Sequence, residues 1–441
     1  MSGGAPDPRR AAWRVLRDVD GGAHADRAAR RRFRGLSDRD RALATELAYG
    51  VVRLRARLDH ELSHFVDRPL SDVEPGVLAW LRLGLSQLRE LRVPDHAAVD
   101  ESVRGVRATV GERATGFANG VLRAAARRDD RRSLFPDPDD ALLEHLATWG
   151  SHPRWLLRRW LDRWSPEDVR RLVALDNRPP RVTVRLLEGD AAAARERLGE
   201  GGAALEPLEA WPRSATLTEG APGDLLERLQ VAVVQDPAAS AVVDYVGDIE
   251  RGPVLDACAA PGGKALALAH GSPRARPCVA ADVRPGRLRR TVEADERVGA
   301  GLSAVAMDAR RPAVREAATA LVDAPCTGTG TLRRRADARW RVGPERLASL
   351  VRLQREMLDA VAGVVQPGGL LVYATCSLEP EENEDQVEAF LRRHPDFERD
   401  PAPPATALPP DVVDERGDLR VLPWRRESDG AYAARLRRRG S

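Results

Sequence analysis

Five short apolar runs in the second half of the chain, each closing on small or acidic residues, limit its possible folds more than any other feature. They are GPVLDACAAPGGKALALA from Gly252, PCVAADVRPGRL from Pro277, SAVAMDAR from Ser303, TALVDAPC from Thr319 and GGLLVYATCS from Gly368. Helical stretches separate them. Short strands alternating with helices predict a parallel sheet wound on both faces, a Rossmann-like α/β domain over residues 231–441. Ligands of such sheets lie beyond the carboxyl ends of the strands, where these small and acidic residues fall.

The remainder reads differently. In a chain of 441 residues two or three domains are expected. Up to residue 135 the pattern is all-α: Leu43, Leu47, Val51, Leu54, Leu58 and Leu62 recur at helical spacing after the capping candidates Ser37 and Asp38, and Val77, Leu81, Leu85 and Leu88 repeat it, as do Val99, Val103, Val106 and Val110. Residues 136–230 read as a small α+β connector. In it, RVTVRLL from Arg181 alternates like a half-exposed strand and AAAARERL reads as a helix. Pro and Ala mark residues 401–410 as a loop.

The start MSGGAPDPRRAAW has no secretion-signal pattern and no stretch approaches membrane-spanning length, so a cytoplasmic protein is expected. Cys258, Cys278, Cys326 and Cys376 form no CxxC pair, which suggests neither a metal site nor a disulfide framework and leaves free thiols available to catalysis. A net charge of +3 is too mild to identify a nucleic-acid partner. Arginine clusters at 30–34, 333–335 and 437–439 say more, the second because it follows DAPCTGTG. Every basic residue but one is arginine. The exception, Lys264, marks a place that suits a compact ammonium better than a planar guanidinium.

VLDACAAPGGK combines a strand ending at Asp256 with a turn of small residues through Gly262 and Gly263 into a helix, which lets a nucleotide-like ligand approach the backbone and a helix N-terminus. It is no P-loop: Cys258 stands where that motif has its first glycine, and Ala265 follows the lysine. Asp282 ends the next strand, where a carboxylate commonly meets ribose hydroxyls, and Asp308 closes the one after, within reach of a base amino group. DAPCTGTG and TCS place Cys326 and Cys376 on two further strand ends that would face one cleft. Thiolate attack there needs a lowered pKa, for which Lys264 and Arg333 are candidate charges. Cys278 reads as a small buried hydrophobe.

DACAAPGGK, DAPCTGTG followed by LRRRADARW, and LVYATCSLEPEEN resemble the motifs of RNA cytosine-C5 methyltransferases, in particular the bacterial 16S rRNA methyltransferase B family, also called Fmu or Sun. SDRDRALATELAYGVVR and GFANGVLR resemble its NusB-like RNA-binding domain; DNRPPRVTVRLL, VVQDPAAS and DGAYAARL also fit, so the likeness covers most of the chain. The resemblance implies S-adenosylmethionine as cofactor, 16S rRNA as partner, no membrane and a monomer. It implies that Cys376 attacks carbon 6 of the cytosine, that Cys326 assists product release, and that Asp323 lies beside base and cofactor. Cys258, Ala259, Ala260, Pro261, Gly262, Gly263 and Lys264 would surround the methionine part, with Asp282 at the ribose, Asp308 at the adenine and Asp323 next to them.

Two departures from that family stand out: Ala265 occurs where Thr or Ser is usual, which weakens a helix cap rather than the chemistry, and DGAY replaces DGFF, which puts Ala431 in an aromatic position and alters local packing. The strand before Asp323, reading AATALVDAPC, also lacks the usual Phe and Asp lead. Other readings keep the chemistry on transfer RNA or DNA, the DNA version exchanging the roles of Cys326 and Cys376, or make the chain a nonenzymatic NusB-like assembly factor. YATCS argues against the DNA version, and retention of both cysteines and the three acids against the factor.

Overall fold

The computed structural model describes residues 7–189, 191–198, 203–249, 251–271, 277–400 and 408–440. The chain forms two compact units, one of Met1–Arg178 with Leu332–Gly343, the other of Pro179–Thr331 with Pro344–Ser441.

The first unit is helical among its described residues. The expected apolar repeats form helices Asp38–Arg53, Arg55–Leu62, Pro75–Glu90 and Asp95–Thr109. Ser37 caps the first, its side chain accepting from the Asp40 amide. Leu47, Leu58, Leu62, Leu81, Leu85 and Leu122 are all but completely buried in one core around Trp80, each contributing about 1.5–3 kcal/mol of transfer free energy. Helices Leu142–Thr148, Arg154–Leu161 and Pro166–Asp176 belong to this unit too, so residues 136–178 pack with it rather than with the strands that follow.

The segment Leu332–Gly343 is also built into the helical unit. The Arg339 guanidinium is fully buried, donating to the carbonyls of Arg53 at 3.2 Å, Ser151 at 3.0 Å and Asp176 at 3.0 Å and to Asn177 Oδ1 at 2.9 Å. Burial pushes its pKa down to about 10. Arg53 donates to the Arg333 carbonyl at 3.4 Å. Arg333, a candidate for lowering a cysteine pKa, is thus part of the helical unit.

The second unit opens with a four-stranded antiparallel sheet of β1 (Thr183–Leu186), β2 (Ala204–Pro207), β3 (Ser214–Glu219) and β4 (Ala232–Val234), in the order β2-β3-β1-β4. The half-exposed strand expected at β1 is instead buried along its whole length. Its polar positions face protein: Arg185 makes a two-pronged pair with Asp244 at 2.6 and 3.1 Å, and Thr183 donates to the Gln235 carbonyl. A paired guanidinium can be buried where an unpaired one cannot.

The main sheet contains β5 (Val254–Asp256), β6 (Cys278–Asp282), β7 (Leu302–Ala306), β8 (Ala317–Asp323), β9 (Val365–Thr375), β10 (Phe397–Arg399), β11 (Leu419–Val421) and β12 (Ala431–Arg438). Its order is β10-β12-β9-β8-β5-β6-β7, with β11 beside β12. Strands β5 to β9 are parallel as expected, whereas β12 runs antiparallel to β9 and β10, so the sheet is mixed. The chain runs outward from β5 through β6 to β7 and then returns to β8 on the other side of β5. That reversal opens a crevice at the carboxyl ends of β5 and β8. Of the 401–410 loop, residues 401–407 lie outside the described residues. No described helix is long and apolar enough to cross a membrane.

Candidate active site

Strand β5 delivers Asp256 to the crevice and the chain turns through Gly262 into helix Gly263–His270. Gly262 has φ +111°, and a Cβ there would lie 2.7 Å from Thr291 Cγ2, so backbone conformation and space both require glycine. Asp256 is buried; one carboxylate oxygen accepts from the Cys258 amide at 3.2 Å, and the other has no hydrogen-bond partner among the described residues. Burial, with the charge of Asp323 nearby, pushes its pKa up to about 7.

Lys264, from the first turn of that helix, places Nζ 2.7 Å from Asp323 Oδ2 at the end of β8. The pairing raises the lysine pKa against the opposing effect of burial, the stronger single influence. The ammonium is therefore held charged inside the crevice, and Cys376 lies close enough to contribute to that shift.

Because β8 and β9 run in parallel register with Asp323 opposite Ala374, the two cysteine motifs leave the sheet side by side. Cys326 Sγ and Cys376 Sγ are 3.3 Å apart. The contact with Cys376 and then burial drive the Cys326 thiol well above its ordinary range, and either sulfur of the pair can be the donor.

The remaining candidates fall at neighbouring strand ends. Asp282 closes β6, is buried and accepts from the Arg284 amide at 2.8 Å. Asp308 stands two residues past β7 and is gripped by the Arg310 fork at 2.7–3.2 Å, which holds its carboxyl below the usual range. Cys258 and its neighbours Ala259, Ala260, Pro261, Gly262 and Gly263 form the turn above β5, and burial raises the Cys258 thiol. Cys278 is buried in the sheet core, as expected.

Both departures are accommodated. Ala265 is fully buried against Ala259 and Ala280, where an added hydroxyl would need a partner, and Ala431 is buried on β12 opposite Val421. The glycine before it matters more. Gly430 donates to the Gly330 carbonyl at 2.7 Å and Gly330 donates to the Cys376 carbonyl at 3.0 Å, stacking three backbones under the nucleophile candidate.

Motif reading missed the polar groups behind the cysteines, namely Thr327, Ser377, Glu382, Asn383 and Gln354. Four of them lie inside or beside the quoted motifs, and the cluster of polar residues after TCS was the available signal. Gln354, on helix Pro344–Ala362, had none.

The mixed sheet, the glycine turn at the switch point and a buried acid at each of two strand ends define the fold of S-adenosylmethionine-dependent methyltransferases. The residues suit such a ligand: an unpartnered buried oxygen on Asp256, a turn whose space a Cβ would fill, and a helix N-terminus. The family described as 16S rRNA methyltransferase RsmB/F matches residues 247–437, the NusB family residues 6–127, and the RsmF/B-like ferredoxin-like domain residues 152–223.

Ribosomal RNA small subunit methyltransferase B of Klebsiella pneumoniae is 33% identical over 92% of this chain and 91% of its own. The protein of that name from Escherichia coli (strain SMS-3-5) is 33% identical over 91% of each. The crystal structure of PH0851 covers 99% of both chains with a TM-score of 0.80 at 25% identity. A methyltransferase homolog protein from Pyrococcus horikoshii shares the fold over 69% of this chain and 100% of its own, with a TM-score of 0.54 at 24% identity. The chain belongs to the ribosomal RNA small subunit methyltransferase B family.

Proposed function

We propose that this protein methylates carbon 5 of a cytosine in 16S rRNA through a covalent bond between Cys376 and carbon 6 of the base. The observation that carries the reading is the cysteine pair, with sulfurs 3.3 Å apart and Lys264 held charged close by. Carbon 5 of cytosine is a poor nucleophile until a group adds to carbon 6 and turns the ring into an enamine, and a thiolate is suited to that addition. When bound, S-adenosylmethionine supplies an electrophilic methyl group to carbon 5.

In this scheme Cys376 adds as thiolate, helped by its hydrogen bond from Cys326 and by the nearby ammonium. Once carbon 5 carries the methyl group and Cys376 is tied to carbon 6, Cys326, having lost its own proton to solvent, acts as thiolate and accepts the carbon 5 proton. The electrons of that C–H bond re-form the ring double bond and expel Cys376 from carbon 6. Asp323, oriented by Lys264, faces base and cofactor. Cys258 to Lys264, Asp282 and Asp308 hold the cofactor, and Asp308 would have to share its carboxylate with Arg310. The cytosine must leave its stack, at a cost of a few kcal/mol that is least in an RNA loop.

We assign residues 1–135 to NusB-like RNA binding, 136–230, of which the helices up to residue 178 pack with the preceding helical unit, to the connector and 231–441 to methyl transfer by a cytoplasmic monomer. The test is a pair of substitutions with 16S rRNA transcripts. Cys376→Ala is expected to give neither methylation nor adduct, and Cys326→Ala to accumulate a protein–RNA adduct stable to denaturing gels. The reverse pattern would assign the nucleophile to Cys326, as in DNA enzymes. Calorimetry should show cofactor binding intact in both and weakened by Asp282→Ala; full binding by the last would remove Asp282 from the site. Bisulfite sequencing of ribosomal RNA from cells with and without the gene locates the cytosine.

A further inference from the structure

Each cysteine of the pair is bracketed by hydrogen bonds on both sides, and the brackets meet at two consecutive residues. Glu382 closes the short 3-10 turn Pro380–Glu382 and its side chain is fully buried. One carboxylate oxygen accepts from the Thr327 amide at 2.8 Å and from Gln354 Nε2 at 3.0 Å; the other accepts from the Thr327 hydroxyl. Gln354 Nε2 also donates to the Pro325 carbonyl at 3.0 Å. Pro325 and Thr327, the two neighbours of Cys326, are therefore fixed through Glu382 and Gln354.

Asn383 does the same for Cys376. Its Oδ1 accepts from Thr375 Oγ1 at 2.6 Å and its Nδ2 donates to the Ser377 carbonyl at 2.9 Å. The two halves are joined where Thr327 Oγ1 and Ser377 Oγ lie 3.0 Å apart. Adjacent residues on one turn thus hold the two cysteine loops, and the turn itself is pinned by Tyr373, whose hydroxyl donates to the Glu382 carbonyl at 2.6 Å.

We propose that Glu382 and Asn383 are positioning residues that set the separation of the Cys326 and Cys376 sulfurs. A carboxylate at 382 accepts from all three donors, whereas an amide could keep the two N–H bonds to its oxygen only by turning its NH2 group towards the Thr327 hydroxyl and reversing the sense of that bond. A side chain in a low-dielectric interior with three well-aligned donors holds its partners in one arrangement, and misplacement of reacting atoms by about 1 Å can cost on the order of 100-fold in rate. The proposal rests on the assigned roles of the cysteines only for its effect on methylation. The separation itself can be measured without them.

The measurement uses diamide, which takes two electrons and two protons from a pair of thiols to leave a disulfide and a hydrazine. The rate at which the Cys326–Cys376 disulfide forms in the full-length protein, followed by mass spectrometry of the linked peptides, acts as a ruler for the sulfurs. For Glu382→Gln we expect that rate and single-turnover methylation both to fall at least about 10-fold. The calorimetric affinity for S-adenosylmethionine should stay within about twofold.

A purely electrostatic role predicts the opposite sign. The Glu382 charge helps to raise the Cys326 pKa, so removing it would ease ionisation and speed the disulfide. Faster or unchanged crosslinking in the folded variant overturns the proposal. If Glu382→Gln does not fold, Thr327→Val, which removes only the hydroxyl branch, and Asn383→Ala carry the same test. Wild-type crosslinking in both sinks it. Slowed crosslinking together with an unchanged adduct pattern in the cysteine variants supports both readings, whereas slowed crosslinking with no adduct in any variant supports the clamp and removes the covalent mechanism.

Discussion

Substituting Gly330 by alanine should cost far more activity than stability, and the size of each effect follows from the stacked backbones beneath Cys376. An ideal Cβ at Gly330 would lie 2.8 Å from Gly430 Cα and 2.9 Å from the Cys376 carbonyl oxygen. Comfortable carbon contacts are about 3.5–4.0 Å, so the neighbours must retreat by roughly 0.7–1 Å. Neither obstacle is a side chain that can swing aside. Overpacking of this kind costs about 1–3 kcal/mol, and in a body of this size each kcal/mol lowers Tm by about 2–4 °C.

The chemistry should suffer more, because the atom pushed is the carbonyl of Cys376. A displacement near 1 Å corresponds to about a 100-fold loss in kcat. Single-turnover methylation of a 16S rRNA transcript, paired with differential scanning calorimetry, reads both quantities. Gly223→Ala is the control, since a Cβ there meets nothing within 4 Å. Wild-type Tm and wild-type turnover in Gly330→Ala would refute the close contact; a large Tm loss with turnover in proportion to folded protein would refute its link to Cys376.

Lys264→Arg is expected to reduce methylation at least about 10-fold, because the guanidinium cannot reproduce a single 2.7 Å contact to Asp323 in a space shaped by small residues. Lys264→Met should in addition destabilise by about 1–3 kcal/mol by leaving Asp323 without its donor. Steady-state kinetics and urea unfolding check both, and a fully active arginine variant would count against this account of the lone lysine. Asp256 makes stability depend on pH. Below its ordinary value of 3.8 it is protonated in both folded and unfolded chains; between 3.8 and about 7 only the folded protein keeps the proton. Stability therefore falls as pH rises through that window, by up to roughly 4 kcal/mol from this group. Urea unfolding from pH 4.5 to 8 should show a shallower decline for Asp256→Asn; parallel curves would show that the acid is not buried as described.

Local chemistry made much of this protein legible before folding was considered. Period-3.6 apolar spacing marked the helices around Leu47 and Leu81, and short apolar runs ending in acids marked β5, β6 and β8, because each pattern reflects burial of one element's own face. The residues at those strand ends, Asp256, Asp282, Asp323 and the two cysteines, followed from the rule that parallel sheets present their carboxyl ends to a ligand. The lone lysine was visible as a composition anomaly.

What spacing along the chain cannot express is which distant groups complete each other. Arg185 on β1 looked like the solvent side of a strand until Asp244, 59 residues on, neutralised it. The 332–343 segment looked like a basic extension of the cysteine loop, yet Arg339 satisfies carbonyls of the helical unit. Gly330 met Gly430, and Glu382 met Thr327 and Gln354, only once strands β8, β9 and β12 lay side by side. A buried charge or a missing Cβ is specified by its partner, and the partner is chosen by tertiary contact rather than by sequence neighbourhood.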